Sequence, residues 1–140
     1  MRRIAAATLV LGLLAASAAA ATTPKRVTIV GELYPTTPGA FTYTGTWTAK
    51  GGIADKGTLT GAPTLISAQA ITAVDKLKGR RGRLVLKLTG PPDDLAHWRW
   101  SITSGSGLYK KLRGGGTAVV DQSDPDHVHE VLRGTVRSSS

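Results

Sequence analysis

The run Phe41-Thr42-Tyr43-Thr44-Gly45-Thr46-Trp47-Thr48-Ala49 decides the fold. Every even position is threonine, while the odd positions are aromatic or small. Successive side chains of a strand point to opposite faces, so this order makes one aromatic face and one hydroxylated face. A helix would wrap the threonines around its circumference, and the strict alternation therefore reads as a strand. Gly51-Gly52 supplies a turn and Gly57-Thr58-Leu59-Thr60 a return strand, as in a hairpin. Upstream, Val27 to Leu33 reads as a first strand, stopped by Pro35-Thr36-Thr37-Pro38-Gly39.

Downstream the same period recurs. Leu65 to Leu77 reads as a strand, although Ile71, Val74 and Leu77 would also suit one side of a short helix. Leu84, Leu86 and Leu88 alternate with Val85, Lys87 and Thr89, a half-buried pattern that Gly90-Pro91-Pro92 ends. Trp98, Trp100 and Ile102 share one face, and strands at Thr117 to Asp121 and Val128 to Val136 follow. About eight strands at regular spacing predict an all-β sandwich or antiparallel barrel.

Trp100-x-Ile102 followed by Gly105-x-Gly107-x-Tyr109-x-x-Leu112-x-Gly114-x-Gly116 resembles a signature of allene-oxide-cyclase-like and dirigent-like barrels, a group that includes bacterial secreted families. Gly45-x-Trp47-x-x-x-Gly51 and Gly79-x-x-Gly82 are similar too. The resemblance implies an eight-stranded antiparallel barrel of the calycin type. It carries no catalytic residue across, because the matching positions, Gly105, Gly107, Gly114 and Gly116 among them, are architectural. It leaves room for a cyclase or isomerase that the residues themselves do not argue for.

The chain opens with Arg2 and Arg3, an apolar stretch from Ile4 to Leu14, and alanines ending at Ala21. That layout is a cleavable export signal over residues 1–21, too short to span a bilayer. The expected product is an extracytoplasmic domain over 22–137 with a disordered serine tail, 138–140. The general export route is favoured over the twin-arginine one. The chain has no cysteine, so neither disulfides nor lipid attachment at a new amino terminus is available. Without Arg2 and Arg3 there remain 16 basic against 9 acidic residues, a charge of +7. Such a balance concerns solubility and polyanionic partners rather than fold.

Four groups of residues are candidates for function. Trp47, Trp98, Trp100, Tyr43 and Tyr109 are the aromatic side chains suited to a small apolar ligand inside a barrel, though their first duty is the core. Tyr109 and Leu112 are also placed to plug a barrel end. Lys78, Arg80, Arg81 and Arg83, flanked by Lys76 and Lys87, form a basic hairpin suited to an anionic envelope polymer. No aromatic residue is interleaved there, which argues against specific nucleic-acid recognition. His127 and His129 share a strand face near Asp124 and Asp126, half of a metal site, with Glu130 pointing to the opposite face. Glu32, the only other glutamate, closes the first strand.

The glycine-rich segment from Ser104 to Thr117 lacks both the dinucleotide fingerprint and the phosphate-loop motif. Neither a Gly-x-Ser-x-Gly elbow, a Ser-x-x-Lys pair nor a His-Glu-x-x-His helix is present. The expectation is a non-enzymatic, cofactor-free carrier or guide of a small apolar molecule, with polyanion adhesion as the alternative and self-association through barrel faces left open.

Overall fold

The computed structural model describes residues 23–139. Residues 1–22, which include the expected export signal at 1–21, and Ser140 lie outside the described residues. Eight strands follow one another: β1 (Lys25–Pro35), β2 (Tyr43–Gly51), β3 (Asp55–Ile66), β4 (Ile71–Gly79), β5 (Gly82–Gly90), β6 (Trp98–Gly107), β7 (Leu112–Asp124) and β8 (His127–Ser138). Each pairs antiparallel with the next, and β8 pairs with β1, closing an up-and-down barrel. Closure leaves no free sheet edge, with the shortest pairing between Trp98–Ser101 of β6 and Gly115–Ala118 of β7.

The alternation read from the sequence is the inside–outside pattern of the barrel. On β2, Trp47 and Ala49 are buried while Thr44, Thr46 and Thr48 face solvent. Ile29, Leu59, Leu77, Leu84, Leu86, Trp100 and Leu132 fill the middle, each at most 3% exposed. Outward positions carry Thr28, Thr58, Lys76, Lys87, Arg99 and Arg133. A lipid-facing barrel has the reverse arrangement, apolar outside and polar within. Among the described residues no helix is long and apolar enough to cross a membrane.

One boundary differs from the sequence reading. Leu65–Leu77 is not a continuous strand: β3 ends at Ile66 and β4 begins at Ile71. Between them the Ser67 hydroxyl oxygen accepts the N–H groups of Gln69 and Ala70 at 3.3 and 3.1 Å, and the Ser67 N–H donates to the Ala70 carbonyl. A serine side chain here does the work of glycine or proline, and it leaves no breaker in the sequence. The return strand predicted at Gly57–Thr60 is also longer, running across a bulge between Pro63 and Leu65. Proline has no N–H for the ladder, and a bulge absorbs the defect. At the carboxyl end β8 runs on to Ser138, and the Ser139 N–H donates to the Lys111 carbonyl, so pairing extends into the serine tail.

The two barrel ends are unlike. At the end where β1 starts, Ile53, Tyr109 and Leu112 fold over the opening and are buried. The β6–β7 connection needs Gly107, whose φ of 63° lies in the left-handed region. From that turn Tyr109 reaches back into the barrel, and its hydroxyl donates to Asp55 Oδ2 at 2.6 Å. Asp55 also accepts the backbone N–H groups of Lys56, Arg80 and Arg81. Burial pushes its carboxyl up, but these donors outweigh that and hold it at about 2. The tyrosine is pushed the other way, by burial and by the carboxylate it serves. This end is a fastened plug. The opposite end is open.

Candidate functional site

At the open end the loops after β1, β3, β5 and β7 surround a cavity of about 370 Å³. That volume falls toward the lower limit of small-molecule sites, roughly 300–1,000 Å³. An eight-stranded barrel has room for packed side chains or one small ligand, and here the packing stops short of the mouth. The walls are Leu33, Tyr43, Ala73, Leu88, Trp98, Val120 and Val128. The β5–β6 loop brings Pro92 and Leu95 over one side, held by the Val120 N–H on the Leu95 carbonyl and the Trp98 indole N–H on the Pro91 carbonyl. Phe41 and Ile66 stand at the rim, 68% and 59% exposed. Large apolar side chains left in solvent around a concave site mark a place where something apolar enters.

The inner end of the cavity is acidic. Asp75 on β4 and Glu130 on β8 line it, and both are buried. Two residues further along the same strands, Leu77 and Leu132 belong to the closed-packed middle. Each carboxyl occupies room that a neighbouring glycine leaves. A Cβ on Gly31 would stand 2.8 Å from Glu130 Oε1, and one on Gly61 would stand 2.6 Å from Asp75 Oδ1. Both glycines are the direct cross-strand partners of the acids they accommodate.

Across the cavity the two carboxyl groups meet each other. Two ionised carboxylates offer only acceptors, and Asp75 Oδ2 then has no partner among the described residues. A proton on one of them turns the contact into a hydrogen bond. Burial pushes both groups up; the charge of Asp75 adds to this for Glu130, which is held well above the ordinary glutamate range. The pair therefore keeps a proton where isolated carboxyls would have lost theirs. Among the described residues no lysine, arginine or histidine lines the cavity.

The five aromatic candidates separate by depth. Tyr43 and Trp98 line the cavity. Trp47 and Trp100 lie in the packed middle, their indole N–H groups donating to the carbonyls of Lys78 and Arg133. Tyr109 belongs to the plug at the other end. Gly105 and Gly107 shape the turn that delivers Tyr109, while Gly114 and Gly116 sit on β7 where β8 approaches closely. Asp75 was hidden from sequence reasoning inside a run of cations, and Glu130 was seen only as a histidine's neighbour.

On the outer wall His127 and His129 turn to Glu32, not to each other. Nε2 of His127 is 2.5 Å from one Glu32 oxygen, and Nδ1 of His129 is 2.6 Å from the other. Burial pushes Glu32 up, but the bonds from His129 and then His127 prevail and hold it below its ordinary value. Tyr34 stacks on the His127 ring. Glu32, partly exposed, is the hub of a strap across β1 and β8. Among the described residues no group of three or more ligating side chains is arranged to hold a metal ion.

The basic hairpin joins β4 to β5, with Arg80 and Arg81 at its tip and exposed. Lys78 and Arg80 also edge a shallow trough of about 510 Å³ on the outer wall, together with Lys56 and the hydroxyls of Thr46, Thr48 and Thr58. No protein-family model, curated protein or solved structure matches the chain.

Proposed function

We propose that this protein is an exported carrier that holds one small, mainly apolar molecule in the mouth of its barrel and performs no chemistry on it. One observation carries the reading: an end-opening cavity of about 370 Å³, mainly apolar on its walls and rim with Gln122 among them, in a barrel whose other end is plugged. The glycine pattern and the closed eight-strand count support grouping it with the allene-oxide-cyclase-like and dirigent-like barrels. Tyr43 and Trp98 on the wall and Phe41 at the rim are the aromatic side chains in reach of a ligand.

Native mass spectrometry of the protein isolated from its own host tests the carrier reading. The expected result is a stoichiometric passenger released on denaturation. Ala73→Phe, which fills the cavity from β4 between Pro63 and Leu88, is expected to emerge empty at the bare-chain mass. Wild type recovered empty, or Ala73→Phe recovered with the same passenger, would sink the reading.

A second reading rests on the outer trough, where Lys56, Lys78 and Arg80 converge among threonine hydroxyls. We propose that this wall adheres to an anionic envelope polymer. Charge reversal at Lys56, Lys78 and Arg80 is then expected to cut retention on a native envelope fraction at least tenfold at physiological salt. Retention that survives reversal rules this surface out.

A further inference from the structure

The acid pair at the inner end of the cavity is unexplained by an apolar passenger alone. Buried charges are matched by a counter-charge or a metal, and buried polar atoms by a hydrogen-bond partner. Asp75 and Glu130 have each other, and that contact supplies no positive charge. The described lining contains no cation, and Asp75 Oδ2 lacks a partner of its own. Asp75 is only 4% exposed and Glu130 5%, so bulk water does little to screen them.

We propose that the cavity selects a molecule with an apolar body and a single ammonium group, the ammonium seated against Asp75 and Glu130 and the body against the walls. This deepens the carrier reading and rests on it. The chemistry fits on three counts. An ammonium brings donors to the carboxylate oxygens left over by the mutual contact, Asp75 Oδ2 among them, and a positive charge against whichever carboxyl is ionised. Tyr43 and Trp98 line the same space, and aromatic rings attract cations. The apolar rim at Phe41 and Ile66 receives the body rather than the head. The chain's overall positive charge opposes a cation only at long range, where salt screens it over about 8 Å. Selection is then decided at contact.

The test compares three probes sharing one body: 2-phenylethylamine, 2-phenylethanol and 3-phenylpropanoate, titrated calorimetrically at pH 7 into wild type and into the Asp75→Asn/Glu130→Gln variant. Wild type is expected to bind the amine at least tenfold more tightly than the alcohol and to reject the carboxylate. The variant keeps the shape of both side chains and is expected to bind amine and alcohol equally, its retained alcohol affinity showing an intact barrel. An alcohol that matches the amine in wild type overturns the inference while leaving the carrier reading standing. An amine preference that persists in the variant overturns it as well. If no probe binds, the inference and the carrier reading fall together.

Discussion

The Asp75→Asn/Glu130→Gln variant is expected to melt above wild type at pH 8, by roughly 4–10 °C, and the gap is expected to shrink toward pH 4. Its size follows from the ~1–3 kcal/mol penalty of a buried polar group left without its partner, converted at about 4 °C or more per kcal/mol for a domain near 100 residues. The direction follows from linkage. Both native carboxyls are pushed up by burial, Glu130 further by Asp75. In the unfolded chain they ionise at ordinary values, so across the interval the native state binds more protons than the unfolded one. Stability is then fully present below the ordinary carboxyl range and is lost as pH rises through the raised native values. Amides do not ionise, and the variant escapes that loss. Thermal melts of both proteins from pH 4 to pH 8 measure it. Parallel pH profiles would show that the pair places no burden on the fold. A buried group that weakens its own fold is expected at a functional site, which is where the proposed ammonium ligand would sit.

How far the site was legible follows from register. Thr42 to Thr48 and Leu84 to Leu88 announce their faces because threonine recurs at every second position in the first and leucine in the second, and eight such strands with turns between them leave a sandwich or a closed barrel. Asp75 sits between Val74 and Lys76, just ahead of Lys78, and in that company it looks like one more solvated charge. The inner face of β4 is nevertheless written in Ala73, Asp75 and Leu77, and the outer in Lys76 and Lys78. Reading it required knowing where β4 begins, and the Ser67 turn conceals that. Glu130 was easier, since Val128 and Leu132 flank it at period two. What no period supplies is that these two acids, 55 positions apart, meet across the barrel interior. That depends on the closure of β8 on β1 and on the room left at Gly31 and Gly61.

Trp47→Ala is expected to remove about 3–5 kcal/mol, the range for emptying the space of a large core aromatic. Against a total of roughly 5–15 kcal/mol for a domain, that brings the fold close to its limit. Trp47 is 1% exposed, and its direct cross-strand partners are Gly31 on β1 and Gly57 on β3. With no side chain on either flank, the indole spreads across the strands. Its Cζ2 reaches within 2.8 Å of where a Cβ on Gly79 would stand, and its N–H donates to the Lys78 carbonyl at 3.3 Å. Four strands thus share one ring, and neighbouring glycines leave alanine nothing to collapse onto. Urea unfolding followed by circular dichroism measures the loss as a lower midpoint at unchanged slope. A loss below about 1 kcal/mol would show that the ring does not hold the middle of the barrel. Trp47→Phe refills most of the space and is expected to recover most of the stability with ligand affinity unchanged, because Trp47 lies beneath the cavity. Trp98→Ala is expected to invert that pattern, weakening the ligand more than the fold, because Trp98 stands on the cavity wall. The contrast separates a tryptophan that fills the barrel from one that meets the proposed ligand.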